Sequence, residues 1–291
     1  MAVTLGPALL DRYPRFSLYN SPYAAHDRGA AVDLYPETGD PDPGRGGVAP
    51  SPVAGEVLDV RTVDAPPKPY ATDSDHLVLI DTGSHVARVL HVDPAVSAGD
   101  RVEPGDSLGR LIRSGFFAPW VDDHIHLGFR NQGANHYRAS GSLELDPGVD
   151  VALVPWDGTG RVVATGDTYA VLDGPAHPAP GECFAGLAAD VAGTDRVLDG
   201  GVPHYDGGGA LGADEEAGTF EGPVTFLGRR IGTGGGDGRT VAWDDVTVRA
   251  NGDPITGLSL FCARDALAVK LVCPDRSFAV GDAVSVAVEP V

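Results

Sequence analysis

The stretch Asp122-Asp123-His124-Ile125-His126-Leu127-Gly128-Phe129 decides how the rest of the chain is read. Side chains alternate between the faces of a strand, so His124 and His126 project from the same side. Two imidazoles held side by side make either a pair of metal ligands or one ligand beside an acid–base group. A solvent-facing strand that happens to carry two histidines is the plain alternative. The residues upstream separate these readings.

Working outward, the neighbouring segments read as short strands between turns. His76-Leu77-Val78-Leu79-Ile80-Asp81 is a buried strand, Thr82-Gly83-Ser84 its hairpin turn, and His85 to Val92 the return strand. Val48 to Val60 gives a strand, a turn and a strand. Val96 to Gly109 holds two Gly-Asp turns around short strands, and residues 113–121 read as a linker into the opening stretch. Residues 37–47 are turn-forming throughout and read as an exposed loop, as does the proline-bearing run from Asp64 to Asp75. Near the N-terminus, His26 and Asp33 stand an odd number of positions apart. A flat strand would aim them at opposite faces, so they converge only if His26 lies on a loop or turn, bent at Gly29, ahead of a strand carrying Asp33.

These pieces, in this order, resemble the M23 group of zinc endopeptidases, the lysostaphin-type cell-wall hydrolases. His26 through Pro36 resembles that family's His…Asp block, in the variant with six intervening residues and a following proline. Val48 through Val57, Val89-Leu90-His91-Val92, Ala98 through Gly109 and His124-Ile125-His126-Leu127 resemble its later blocks. The resemblance covers residues 26–130 and implies zinc ligands at His26, Asp33 and His126, with His91 and His124 as active-site histidines. It implies Zn2+ as cofactor, a peptide or peptide-crosslinked polymer as substrate, and hydrolysis by metal-activated water. Chemistry agrees, since catalytic zinc commonly takes three protein ligands of this type and keeps one position open. Asp122 or Asp123 could orient a histidine, although a charged surface explains two adjacent aspartates more simply. The other histidines (His76, His85, His136, His177, His204) read as solvent-facing or hydrogen-bonded.

The second half continues in short strands: Val151–Val154, Arg161–Thr165, Tyr169–Leu172, Val224–Leu227, Val241–Ala250, Leu258–Cys262, Leu267–Cys273 and Ala283–Glu289, with Gly- and Asp-rich loops at 199–218 and 232–239. The expected fold class is all-β: an antiparallel β-sheet, barrel-sandwich hybrid domain over residues 1–145, followed by a small β-sandwich or barrel over 146–291. An extension, 1–25, is expected to pack on the first domain. The Gly234-Gly235-Gly236 run lacks the Lys-Ser/Thr of a phosphate loop and reads as a hairpin loop. The role expected of the second half is substrate positioning or partner binding.

Composition narrows the function classes. The chain has 291 residues, 41 acidic against 21 basic, and a formal net charge of −20. Such a surface does not neutralise phosphates or anionic lipid, which excludes nucleic acid and membrane surfaces as partners. Only Lys68 and Lys270 are lysines, and an acidic, lysine-poor chain fits work in high salt. No basic-then-apolar leader is read and no apolar run is long enough to span a bilayer, so the expected address is the cytoplasm. Cys183, Cys262 and Cys273 have no CxxC spacing and read as buried thiols. A lipoyl- or biotinyl-carrier barrel is disfavoured because neither lysine occupies a hairpin tip between two halves. A non-catalytic zinc-binding or scaffold protein with the same fold is the standing alternative to a hydrolase.

Overall fold

The computed structural model describes residues 2–37, 46–212 and 221–291 of an all-β chain. Most of the expected loop at 37–47, and the end of the one at 199–218, lie outside the described residues. The chain divides into two units, Met1–Phe16 with Ala30–Val149 and Ser17–Gly29 with Asp150–Val291. The stretch 17–29, which contains His26, therefore groups with the second unit. Among the described residues no helix is long and apolar enough to cross a membrane.

The first unit is built on an antiparallel sheet whose strands neighbour one another in the order Arg101–Val102, Gly55–Val63, Asp75–Asp81, His85–Leu90, Ile125–Asn131 and Val32–Tyr35. Val78, Ile80, Ala87, Val89, Ile125 and Leu127 are fully buried on one face. Leu77, Leu79 and Val86 form a cluster on the other, packed with Val63 and Leu90. Burial on both faces is why 76–81 reads as an unbroken apolar run and not as an alternating one. Each such side chain contributes about 1.5–3 kcal/mol on leaving water. A smaller sheet joins Val48–Pro50, Ser107–Leu111 and Val92–Pro94.

In the second unit, strands Val151–Val154, Tyr169–Leu172 and Ala283–Pro290 lie where the alternation put them. The expected run 241–250 is two strands, Thr240–Trp243 and Val246–Ala250. A hairpin of Phe184–Val191 and Thr194–Val202 escapes the sequence reading, Gly207–Leu211 is a strand inside the loop expected at 199–218, and the strand Arg229–Gly234 runs into the start of the one expected at 232–239. The cause is close packing. A Cβ on Gly209 would run into the Tyr19 ring and one on Gly208 into Trp243, so these glycines make room for aromatics and do not mark turns. Gly235 and Gly236 do lie in the hairpin loop between paired strands. The three cysteines are free, Cys262 and Cys273 buried and Cys183 partly so.

Candidate metal centre

The pairing register sets the site. His126 lies directly opposite Asp33 on one neighbouring strand and Leu90 on the other. Asp33 is buried, and His126 Nδ1 lies 3.1 Å from its Oδ1. His124 Nε2 lies 3.3 Å from the same oxygen. The alternation that aims both histidines at one side thus brings both to one carboxylate.

His91 arrives differently. Leu90 pairs with His126, so a flat continuation would send His91 to the reverse face. The backbone instead turns left-handed at His91, φ 70°, between the strands His85–Leu90 and Val92–Pro94. This conformation costs a non-glycine residue on the order of 1 kcal/mol. Its ring consequently sits 5.2 Å from that of His124 and 5.6 Å from that of His126, centroid to centroid.

Asp75 holds the turn in place. Its Oδ1 accepts the backbone N–H of His91 at 2.9 Å, and its Oδ2 accepts from His91 Nδ1 and Ser114 Oγ, both at 2.5 Å. Burial alone would raise the Asp75 pKa. The attraction of His91 and the hydrogen bonds from His91, Ser114 and the His76 backbone outweigh it and bring it down to about 2. With Nδ1–H committed to a carboxylate, the other ring nitrogen of His91 is free to face the cluster as acceptor or donor. Neither Asp75 nor Ser114 was found from sequence, because loop aspartates and serines are ordinary. Pairing of the strand from Asp75 with the one leading to His91 is what joins them.

The segment 113–121, expected as a bare linker, walls the cluster. Phe117 stacks on His124 at 4.4 Å and meets His91 edge-on at 4.6 Å, while Tyr35 lies 5.1 Å from His124. Arg113 holds the segment by donating to the carbonyls of Ala118 and Pro119 at 2.8 and 2.9 Å, and pairs with Asp123 at 3.3 Å. Asp122 pairs with Arg15. Both aspartates are buried, which corrects the reading of them as a charged surface. Charge pairing with two arginines, one ten residues away and one close to the N-terminus, makes that burial tolerable.

Within the second unit, His26 Nδ1 donates to the Leu18 carbonyl at 2.7 Å, which fixes the orientation of the ring. Asp199 fixes that carbonyl's strand by accepting from Ser17 Oγ at 2.5 Å and from the N–H groups of Leu18 and Tyr19 at 2.6 and 3.3 Å. Full burial pushes the Asp199 pKa up to about 6 despite these donors and the charge of His26. His26 also lines a cavity of ≈ 400 Å³, together with Tyr19, Asp27, His204, Asp206 and Thr240. Burial lowers the His204 pKa to about 4.

His26, Asp33 and His126 form a group that could hold a metal ion, each offering one ligand atom and all within 4.8 Å of one another. The donor chemistry fits a divalent ion. His124 Nδ1 faces the Asp122 carbonyl at 2.9 Å and so carries a proton, which leaves Nε2 facing the Asp33 oxygen. A buried carboxylate this close to two imidazoles is balanced by positive charge, a proton or a cation. The 3.1 Å between His126 Nδ1 and Asp33 Oδ1 is also near the separation of about 3.3 Å between two donors on one tetrahedral zinc.

Two family models match the chain: the N-terminal domain of a domain of unknown function, DUF8155, over residues 4–147, and its C-terminal domain over residues 152–289. Among solved structures, similarity is found to lysostaphin in an NMR solution structure, at 14% identity over 87% of this chain and 89% of that one, with a TM-score of 0.27. Similarity also extends to the antimicrobial peptidase lysostaphin from Staphylococcus simulans, at 11% identity over 94% and 96% of the two chains, with a TM-score of 0.24. Comparison with curated proteins gives no match.

Proposed function

We propose that this chain, which belongs to the DUF8155 family, is a zinc-dependent hydrolase of peptide bonds resembling the M23 endopeptidases. In this reading His26, Asp33 and His126 hold the metal, and His91 and His124 are the catalytic histidines. The observation that carries it is the convergence on Asp33 of His126 and His124 from one strand, with His91 turned toward them by its left-handed backbone. When bound, zinc would supply a Lewis acid that polarises the scissile carbonyl and lowers the pKa of water to about 7.

The protein's own groups do the remainder. His124, stacked on Phe117, is positioned to take a proton on Nε2 and pass it to the leaving amine. His91 is aimed by Asp75, which fixes its orientation and tautomer, suiting it to stabilise a developing oxyanion. Phe117 and Tyr35 keep bulk water from the cluster, which strengthens each of these electrostatic effects. The cavity that His26 lines within the second unit has room for part of a peptide or peptide-crosslinked polymer, which suits that unit to a substrate-positioning role.

Metal analysis tests the centre. The purified protein should carry about one zinc per chain, the complement of a three-ligand site, and an Asp33→Ala, His126→Ala double variant should carry none. Equal zinc in both would end the proposal. His124→Ala should keep its zinc and lose about 100-fold or more in turnover of a cleavable peptide. Zinc retained with no peptide turned over would favour the non-catalytic metal-binding alternative.

A further inference from the structure

Arg88 is 7% exposed and lies in the middle of the first unit's sheet. Its Nε has no hydrogen-bond partner, and among the described residues no carboxylate or carbonyl accepts from its guanidinium. The flanking cation worsens the balance. Arg130 is also buried, its Nε is unpartnered, and its terminal nitrogens are committed to the carbonyls of Asn135 and Arg138 at 2.8 and 2.7 Å. Burial, and then repulsion from Arg130, lower the Arg88 pKa to about 10, which still leaves it charged at neutral pH. The acids on the same sheet face are occupied: Asp59 by Arg61 and Tyr137, Asp81 by the Gly83 N–H and Gln132. A buried cation without a counter-charge is costly, and this chain, acidic as it is, places no carboxylate against it among the described residues.

The register places Arg88 in relation to the candidate centre. Arg88 pairs with Gly128 and Leu90 with His126, so Arg88 lies on the face that carries His126, two positions along. Gly128 itself adds no side chain there, and the Ser142 side chain and the Ala30 carbonyl lie over it. Two strand positions are about 7 Å, or the span of two residues of an extended peptide. We infer that Arg88, flanked by Arg130, is a carboxylate-binding subsite that takes an acidic group of the substrate within one or two residues of the bond cleaved. A planar guanidinium fork matches a carboxylate in two parallel hydrogen bonds. The substrate half of this inference rests on the hydrolase reading; the anion site does not.

Thermal melts of the zinc-loaded protein, with sodium acetate exchanged for sodium chloride at constant ionic strength, test the site. Acetate should raise the wild-type melting temperature saturably and leave Arg88→Met unmoved. Replacing an uncompensated buried cation by methionine should not unfold the protein. The same acetate response in both proteins, or none in the wild type, overturns the site. If Arg88→Met does not fold, bromide-soaked wild-type crystals decide: an anomalous peak within hydrogen-bond reach of the Arg88 guanidinium supports it and no peak there overturns it. For the substrate, a cleavable peptide with a free C-terminal carboxylate two residues from the scissile bond is compared with its amide. The amide should show a KM higher by about tenfold in the wild type and by nothing in Arg88→Met, with kcat little changed. Equal KM values in the wild type overturn the substrate assignment. Cleavage of neither peptide counts against the hydrolase reading and leaves the acetate result to decide the anion site.

Discussion

At the scale of single residues, Asp75 has the clearest measurable consequence. It is fully buried and accepts from the backbone and ring of His91, from Ser114 and from the His76 backbone. Its pKa, about 2, lies below the ordinary value of 3.8. Stability from this carboxylate is therefore fully present above about pH 4 and is lost as pH falls toward 2. Nearly two pH units correspond to about 2 kcal/mol. Asp75→Asn should lower stability at neutral pH by roughly 2–4 kcal/mol, since it removes a buried charge opposite His91. It should also flatten the difference in stability between pH 4 and 2, read by urea melts of both proteins across that range. A parallel acid dependence in wild type and variant would show that Asp75 is not the group responsible.

At the scale of elements, the short strands flanking His91 matter more than their length implies. Val92–Pro94 pairs with Ser107–Leu111, and Gly109 there has φ 142° with its Cα turned toward the Asp93 carbonyl. An alanine at 109 would face both a left-handed backbone and a collision with that carbonyl, so the strand carrying the exit from His91 must shift. Gly109→Ala should cost roughly 2–4 kcal/mol, measured by chemical denaturation. Gly99→Ala, at a turn with open space around it but also φ 94°, should cost less. Equal losses would mean that backbone strain alone, without the close approach, sets the cost. Elements of this kind show how far the sequence could be read. The alternation of His124 and His126 and the unbroken apolar run at 77–80 were legible because strand period and burial are local. The turn at His91 was not, since a histidine with positive φ leaves no mark in the residues around it. The glycine-rich strands of the second unit were misread because glycine marks both turns and close approaches, and only the facing aromatic tells which.

At the scale of the whole molecule, the division of the chain affects the proposed centre. Residues 17–29 group with the second unit, where Asp199 binds Ser17, Leu18 and Tyr19, and Asn20 donates to Ser259 at 2.6 Å. A fragment ending at residue 149 retains all five candidate residues, four histidines and one aspartate, but removes every one of those clamps from the segment bearing His26. Loss of such supporting contacts typically weakens metal binding by about 10–100-fold. The fragment should therefore bind zinc correspondingly more weakly than the whole chain in a competition titration with a chelating dye. Equal affinity would show that His26 is held by its own loop or does not ligate.

The amino-acid sequence by itself determined the all-β class, the acidic surface and the facing pair on one strand, because composition and a two-residue period are properties of the chain alone. Its resemblance to the M23 group implied which histidines and aspartate were candidates. Only the tertiary structure decided that His91 turns toward His124, that Asp75 and Ser114 hold it there, and that Arg88 lies without a counter-charge two positions from His126. Each of these depends on strand register and on backbone angles at single residues, which are fixed by contacts between segments far apart in sequence.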